Sequence, residues 1–329
     1  MAIPRRGILA APVALALGAA VRPTTARVQQ AFPSRSVTII AAGAAGGPTD
    51  VITRIVADSM GQHLGQPVVV EAIGGATVGP QRGAQARPDG YTMLMTNIGF
   101  AASATLYRRL PYSVQESFAP LGLVSEAAMT LVARPSFPAE NLAGYLAVLR
   151  EQGGKLNLAH AGLGSAAHLC GMLLQQAAGA QATTVVFRGT APAIAELMAG
   201  RIDLLCDQAT NTVPYIRDGR LTAYAVSSAA RVPALAEVPT TAEGGHPALA
   251  MSTWHALYAP AATPEPVQEA LSAALRAALA EPRLLARFAQ LATAPASAEH
   301  ATTGFHRQFL AEEIARWRPI IQSAGAFAA

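Results

Sequence analysis

Short hydrophobic segments rich in β-branched residues alternate with longer segments of helical periodicity along most of this 329-residue chain. The strand-like segments lie at residues 36–41, 67–71, 91–96, 130–133, 155–161, 184–187, 204–206 and 222–227. Apolar side chains recur at helical spacing in residues 50–64, 264–291 and 301–323. This alternation predicts parallel strands that are covered by helices on both faces. Because the chain is too long for one core of typical size, we expect two lobes.

The composition restricts the class of protein further. Hydrophobic residues make up 51% of the chain and charged residues 13%, which is the reverse of a disordered composition. Basic residues form no stripe with interleaved aromatic residues, so we expect no nucleic-acid partner. The sequence has no His or Cys cluster at metal-ligand spacing, and we expect neither a metal nor another cofactor.

Residues 1–26 are predicted to be a signal peptide. Arg5 and Arg6 precede an uncharged apolar run at residues 8–20, and residues 24–26 are small, as a signal peptidase requires. The run is shorter than the roughly 20 residues that span a bilayer, although a retained membrane anchor is the alternative. The mature chain is therefore expected to be soluble outside the cytoplasm. The arginine pair leaves the twin-arginine route open beside general secretion.

The chain has two cysteines, Cys170 and Cys206. In an oxidising compartment they could form a disulfide. No CxxC motif is present, and the interpretation favoured by the sequence is two separate, small buried side chains.

Ligands of parallel α/β sheets bind at the carboxyl ends of strands, and the first such turn here is rich in glycine. It reads AAGAAGGPTD, with Gly43, Gly46 and Gly47 ahead of Pro48. Proline suits the first turn of a helix, and the unpaired N–H groups at a helix N-terminus attract anions. The spacing matches neither a phosphate-loop nor a dinucleotide motif. The turn therefore predicts a backbone anion site, with tight strand–helix packing as the alternative.

A second glycine-rich turn precedes another predicted helix. Gly162 and Gly164 are followed by Ser165, a residue typical of helix N-caps. A hydrolase would use Ser165 as nucleophile, His168 as base and Asp207 to orient the base. The G-x-S-x-G elbow is absent, and Ser165 and His168 lie along one helix end, so we expect no catalysis. Packing or capping explains His168 at least as well as ligand contact.

A third turn repeats the pattern of the first. The predicted strand at residues 184–187 leads through Arg188, Gly189 and Thr190 into a helix start that contains proline. Arg188 is either a fixed charge that binds a carboxylate through two hydrogen bonds or a solvated surface arginine, and the sequence favours neither.

Ten motifs in order along the chain match a known family. They are FPSRSVTII, GGPTD, LGQPVVVE, RPDGYTMLM, LYRRLPYS, FAPLGLV, GKLNLAHAGLGSAAHL, VVFRGTAPAIAELMAGRIDLLCDQ, IRDGRLTAYAVSSAAR and VPTTAEGG. Each motif alone is weakly specific, and together they are highly specific. From about residue 32 to residue 325 the chain resembles the tripartite tricarboxylate transporter receptors, also called the Bug family of extracytoplasmic solute-binding proteins.

The resemblance implies an α/β fold of the two-lobed periplasmic binding protein type (type II). Each lobe would be a mixed, mostly parallel sheet flanked by helices. Two crossover strands would join the lobes, near residues 130–134 and 251–258. Lobe one is then expected to comprise residues 32–133 plus 255–329, and lobe two residues 134–254.

The implied function is capture of a small carboxylate in the cleft between the lobes, for a membrane transporter of the tripartite tricarboxylate type or for a sensor. A di- or tricarboxylate, an amino acid or an aromatic carboxylate belongs to this ligand class. The resemblance implies a monomeric binding receptor and not an enzyme, with no cofactor. The effector domain of a transcription factor shares this architecture, but it would carry a DNA-binding helix-turn-helix where this chain has a predicted signal peptide.

The residues implied to bind the ligand lie in the glycine-rich turns and beside them. They are Ala44, Ala45, Gly46, Gly47, Thr49, Asp50, Asn97, Gly162, Gly164, Ser165, Ala166, His168, Gly189, Thr190 and Asp207. Residues 43–45 lack the aromatic and proline residues that family members often carry, residues 71–79 lack an arginine, and Phe100 occupies an unusual place. These changes predict a larger or differently shaped ligand, with aromatic carboxylates included.

Overall fold

One long strand joins two halves of a mixed β-sheet. The structure is a computed structural model that describes residues 32–325 and, outside that range, residues 1, 2 and 327. Apart from its first two residues, the predicted signal peptide at residues 1–26 lies outside the described residues. The strands of the described part are β1 (Val37–Ala42), β2 (Val68–Ile73), β3 (Thr92–Asn97), β4 (Phe118–Ala133), β5 (Asn157–His160), β6 (Thr183–Val186), β7 (Leu204–Gln208), β8 (Thr222–Val226), β9 (Ser252–Pro260) and β10 (Thr293–Pro295).

Helices occupy most of the connections between these strands. In the described part they are α1 (Pro48–Leu64), α2 (Val78–Ala84), α3 (Gly99–Leu106), α4 (Leu142–Gln152), α5 (Ala166–Ala178), α6 (Thr190–Met198), α7 (Ala209–Arg217), α8 (Glu265–Leu279), α9 (Pro282–Gln290) and α10 (Thr303–Ala324). Among the residues that the structure describes, no helix combines the length and the apolar character needed to cross a bilayer.

The strand order defines two lobes. Along the sheet the order is β2-β1-β3-β9-β4-β7-β5-β6, with β8 and β10 also paired to β4. β1 is parallel to β2 and β3, and β5 is parallel to β6 and β7, whereas β4 and β9 run antiparallel to their neighbours. Up to Ala128, β4 pairs with β9, and from Met129 it pairs with β7 and β8. We call the part built on β1–β3, β9, β10 and the first section of β4 lobe one, and the part built on β5–β8 and the end of β4 lobe two.

The predicted crossovers fall on β4 and β9. Residues 130–134 overlap the section of β4 that pairs within lobe two, and residues 251–258 overlap most of β9. The two lobes form one compact unit, within which the contacts between residues define no boundary. The lobe boundaries therefore stay predictions, with lobe one at residues 32–133 and 255–329 and lobe two at residues 134–254.

β4 is longer than the sequence predicted. The prediction covered only residues 130–133, whereas the strand begins at Phe118 and is buried along nearly its whole length. Pro120 and Gly122 disguise its first part, because proline and glycine are uncommon inside strands. The register with β9 shifts between these two residues, and this irregularity accommodates both of them.

The helical pattern at residues 264–291 forms two helices and not one continuous helix. α8 ends at Leu279 and α9 begins at Pro282. Proline disfavours helical backbone in the residue before it, and Glu281 is accordingly extended, with φ −71° and ψ 129°. After the break, α9 buries Phe288 completely in the core of lobe one.

A hydrophobic cluster runs through both lobes. It contains Phe100 and Trp254 from lobe one together with Tyr145 and Leu169 from lobe two. Removal of this apolar surface from water stabilises the contact between the lobes, so packing as well as β4 holds them together.

Cys170 and Cys206 form a disulfide, which overturns the expectation of two separate side chains. Their Cα atoms lie 5.9 Å apart, and both residues are buried. Between them the chain leaves α5, forms β6 and α6, and returns as β7, which packs against α5. This crossover brings together two cysteines that are 36 residues apart in sequence, a relation that the spacing alone does not show.

Candidate functional site

A cavity of about 590 Å³ lies between the lobes. Its walls come from the turns after β1, β2, β5 and β6, from the end of β3 with α3, and from the end of β7. Arg188 and Asp207 are the charged residues of this lining. The volume is in the range of pockets that hold small organic molecules.

Most of the residues that the resemblance implied lie in the cavity wall. These are Ala44, Gly47, Thr49, Asn97, Gly162, Gly164, Ser165, Ala166, Gly189, Thr190 and Asp207. Four others do not line it, namely Ala45, Gly46, Asp50 and His168. Contact with a ligand stays a prediction for all of them.

The turn before α1 leaves two backbone N–H groups free, and one of them belongs to Thr49, which lines the cavity. Gly47 caps the helix without a side-chain hydrogen bond, and its own N–H bonds the carbonyl of Ala44 at 3.0 Å. Within the described chain, the N–H groups of Thr49 and Asp50 have no acceptor. Because these groups lie at the positive end of a 17-residue helix, the turn is suited to binding an anion.

The Asp50 side chain stabilises this turn through contacts with the turn and with its own helix. Its carboxylate accepts the N–H of Gly46 at 2.8 Å and forms an ion pair with Arg54 at 2.9 Å. Asp50 is buried, while Arg54 is more than half exposed. The side chain of Asp50 is thus already engaged with its own helix and turn, which explains why it does not line the cavity.

The turn before α5 is built on neutral groups. The Ser165 hydroxyl accepts the N–H of His168 at 3.2 Å, and His168 Nδ1 accepts the N–H of Gly164 at 3.3 Å. In the described residues, the N–H groups of Ala166 and Ala167 have no acceptor, and both residues line the cavity. The second turn therefore offers two N–H groups at a helix N-terminus, as the first does.

His168 serves this turn as a neutral acceptor. Burial, and then repulsion from the nearby His160, lower the pKa of His168 to about 4. The centroids of the two rings lie 4.6 Å apart. Ser165 and His168 are joined by helix capping, and the hydroxyl–imidazole hydrogen bond of a hydrolase is not formed between them.

Asp207 organises the lobe-two wall at the end of β7. Its carboxylate accepts hydrogen bonds from the Gln208 N–H at 2.7 Å, from Asn211 Nδ2 at 2.9 Å and from Thr190 Oγ1 at 3.0 Å. Burial raises the pKa of Asp207 to about 6, and the three hydrogen bonds oppose this rise. Asp207 thereby fixes the first residue of α6 relative to β7.

Arg188 lies at the rim of the cavity. It precedes Gly189, which adopts φ 111° and caps α6. The Arg188 side chain is exposed, and it forms no ion pair with any described residue. The structure thus places it where a guanidinium could contact a ligand while remaining hydrated.

Asn97 and Phe100 have structural roles that the sequence did not show. Asn97 Nδ2 donates to Thr49 Oγ1 at 3.1 Å, and its Oδ1 accepts the N–H of Gly99 at 3.0 Å, so it ties α1 to α3. The Phe100 ring is buried and packs against Phe118 and Tyr258, with centroids 5.2 and 5.0 Å away. Phe100 therefore packs in the core and also forms part of the cavity wall, and an aromatic ligand stays a prediction.

The turns of the two lobes touch across the cavity. A Cβ built on Gly99 of lobe one would overlap the carbonyl oxygen of Gly164 in lobe two. A Cβ on Gly189 would lie 3.4 Å from the Cβ of Ala44. Glycine at position 99 permits the close approach to Gly164, and we call this contact between the turns the closed arrangement of the lobes.

Several residues of the cavity wall were not predicted from the sequence. Gly74, Gly75 and Ala76 follow β2, and the rule that sites lie at carboxyl ends of strands would have found them. Tyr107 and Gln208 also line the cavity. The same rule would have found Gln208, the last residue of β7, whereas no local signal marks Tyr107, which follows α3.

Two α/β lobes that share a long strand and enclose a cavity lined by strand-to-helix turns define a two-lobed periplasmic binding protein. The family model of the tripartite tricarboxylate transporter family receptors, TctC, matches residues 52–326, so the chain belongs to this family.

Known relatives agree with this assignment. The UPF0065 protein in the TAR-I ttuE-ttuC' intergenic region of Agrobacterium vitis is 42% identical over 315 residues, covering 95% of this chain and 91% of that protein. The solved periplasmic binding protein BugD is 38% identical with a TM-score of 0.85, covering 90% of this chain and 99% of BugD.

Two solved neighbours contain carboxylates. MatC from Rhodopseudomonas palustris, with bound malate, is 35% identical with a TM-score of 0.83 and covers 88% of this chain and 100% of MatC. Rpa4515 of R. palustris, with adipate, is 27% identical with a TM-score of 0.83 and covers 89% of this chain and 98% of that protein. The family and these neighbours are solute-binding receptors and not enzymes.

Proposed function

We propose that this chain is an exported receptor that captures a small carboxylate between its lobes and delivers it to a tripartite tricarboxylate-type transporter or to a sensor. The proposal rests on two helix N-termini at one cavity, α1 from lobe one and α5 from lobe two. Each has two N–H groups without an acceptor among the described residues. MatC with malate and Rpa4515 with adipate support a carboxylate as the ligand.

The N–H groups supply the main attraction for an anion in this cavity. Each helix N-terminus carries roughly half a positive elementary charge. The Asp207 carboxylate in the wall is occupied by three donors, so it does not compete for these N–H groups. We place one ligand carboxylate between Thr49 and the Ala166–Ala167 pair, within reach of both lobes.

Arg188 is the proposed partner of a second carboxylate. It is the cationic side chain of the cavity lining, and it has no ion-pair partner in the described chain. An arginine can bind a carboxylate through two parallel hydrogen bonds. Together with the two helix N-termini, this arginine suits a ligand that carries two carboxylates.

Export and partners complete the proposal. The predicted signal peptide would direct the mature chain to the periplasm, where the receptor would act as a monomer on a membrane transporter or a sensor. Membership in the receptor family of a tripartite transporter supports this location.

Native mass spectrometry of the freshly purified protein, followed by titration calorimetry, tests the proposed function. Malate and adipate are titrated beside malamide and adipamide, which keep the carbon chains but lack the charge. We expect a carboxylate to bind and its diamide to fail. A carboxylate at 100 times its Kd should stabilise the fold by about 2.7 kcal/mol. Preferential binding of the neutral amides would contradict the proposal.

A further inference from the structure

The Cys170–Cys206 disulfide lies directly behind the cavity wall of lobe two. Cys170 is one helical turn after Ala166 in α5, and Cys206 immediately precedes Asp207 in β7. Ala166 and Asp207 both line the cavity, whereas the two cysteines are buried. One covalent bond therefore links the two elements that carry these parts of the wall.

Backbone pairing does not connect these elements at the level of the cavity. α5 follows β5, and β5 pairs with β7 only at Leu158–Leu204 and Ala159–Leu205 among the described residues. The rest of β7, from Cys206 to Gln208, pairs with β4 on its other side. β5 and β7 thus separate before they reach the cavity, as strands do at the crevice of such sheets.

The disulfide spans this separation. Without it, the covalent path from α5 to β7 runs through the 35 residues between the cysteines, which include the Arg188–Gly189–Thr190 turn. The two elements would then be held together by noncovalent packing alone. The bond therefore limits how far the α5 N-terminus can move from Asp207.

Resting on the proposed ligand site, we propose that Cys170 and Cys206 are positioning residues for ligand binding. Their disulfide holds the N–H groups of Ala166 and Ala167 at a fixed separation from Asp207 and Gln208. Loss of the bond loosens this wall and weakens the binding of a carboxylate, independently of its effect on global stability.

Hydrogen exchange followed by NMR tests the positioning without any ligand. The protein with its disulfide intact is compared with Cys170→Ala/Cys206→Ala at the amides of Ser165, His168 and Gln208, all hydrogen-bonded in the structure. We expect about tenfold faster exchange in the variant, because a less restrained segment opens more often. Leu275→Ala removes a buried side chain from the core of lobe one and is the control for general destabilisation. In this variant the exchange rates of the three amides, relative to those of other amides in lobe two, should be the same as in the wild type.

Calorimetry on the same proteins measures the consequence for binding. With the carboxylate that binds the wild type most tightly in the malate and adipate panel, Kd should rise about tenfold in the double variant, the effect of one misplaced hydrogen bond. Leu275→Ala should keep the wild-type Kd. If Cys170→Ala/Cys206→Ala does not fold, Cys170→Ala/Cys206→Val refills the space and replaces it.

The two proposals fail in different ways. Unchanged exchange, or an unchanged Kd in a folded variant, overturns the role of the disulfide and leaves the proposed function intact. If the wild type binds no carboxylate, the proposed function fails, while the exchange rates still decide whether the disulfide restrains the wall.

Discussion

The two glycine-rich turns present the same backbone groups to the cavity but are supported by different chemistry. In lobe one, the charged Asp50 carboxylate accepts the N–H of Gly46. In lobe two, the Ser165 hydroxyl and the neutral His168 imidazole accept the corresponding bonds. A carboxylate in the first helical turn offsets part of the helix's positive potential, whereas neutral groups leave it for a ligand. We therefore expect α5 to contribute more to anion binding than α1.

Gly99→Ala should have the largest effect, because the two turns act together only when the lobes are closed. The added Cβ would overlap the Gly164 carbonyl oxygen in the closed arrangement, and opening of the lobes would relieve this overlap. Overpacking of about 3 kcal/mol opposes closure and should raise Kd roughly a hundredfold in calorimetry. Alanine is favoured over glycine in helices by about 1 kcal/mol, so the ligand-free protein should keep its melting temperature.

Gly304→Ala is the matched control for this substitution. Gly304 also lies in the first turn of a helix, α10, but a Cβ there has open space around it. It should bind as the wild type does. If Gly99→Ala also kept the wild-type Kd, ligand binding would not require the contact between the turns.

Because the neutral His168 imidazole stabilises the lobe-two turn, the stability of the protein should fall at acidic pH. With its pKa lowered from 6.5 to about 4, His168 contributes stability that is lost as the pH falls through this interval. At pH 5 the loss amounts to about 2 kcal/mol relative to pH 8. His168→Asn keeps an acceptor for the Gly164 N–H but does not titrate, so urea unfolding should show about 2 kcal/mol less acid destabilisation. If the free energy of unfolding depended on pH equally in both proteins, the neutral His168 side chain would not stabilise the turn.

Asp50→Asn should have the smallest effect and acts on lobe one. Asparagine keeps an oxygen that can accept the Gly46 N–H but removes the negative charge. Because a charge in the first turn is worth about 0.3–1 kcal/mol, binding of a carboxylate should tighten about threefold. Asp58→Asn, farther along α1 and exposed, is the control and should change Kd little. Weaker binding in Asp50→Asn would show that the carboxylate assists the ligand instead of opposing it.

The positions of these turns could be predicted from the sequence because their signals are local. Glycines followed by Pro48, and glycines followed by Ser165, mark helix starts whatever the rest of the chain does. The sequence left open whether His168 caps its own turn and did not show that Asp50 does so. Side chains one turn into a helix can point toward the cavity or back to the capping residue, and the choice depends on the surrounding packing.

Other features depend on distant segments and could not be predicted. The pairing of Cys170 with Cys206 requires the register of β7 against β4 and the position of α5, which no spacing in the sequence encodes. The first part of β4 was missed because Pro120 and Gly122 interrupt its local signal. The family resemblance predicted eleven residues of the cavity wall, but the disulfide behind that wall emerged only from the three-dimensional structure.

The proposed function depends most on the backbone N–H groups at the start of α5. Ala166→Pro removes one of them without changing any charge, and proline fits this first helical position because Ser165 before it is extended (φ −64°, ψ 158°). Thr303→Pro makes the same change at the start of α10, after the extended Thr302 (φ −118°, ψ 154°) and away from the cavity.

Titration calorimetry of both variants uses the carboxylate that binds the wild type most tightly. It compares the change in Kd after loss of an N–H group inside the cavity with the change after loss of one outside it. We predict a Kd about 10 to 100 times higher for Ala166→Pro, since a hydrogen bond to a charged group contributes about 1.5–3 kcal/mol, and a wild-type Kd for Thr303→Pro. Wild-type affinity in Ala166→Pro would contradict the binding of the carboxylate by the α5 N-terminus.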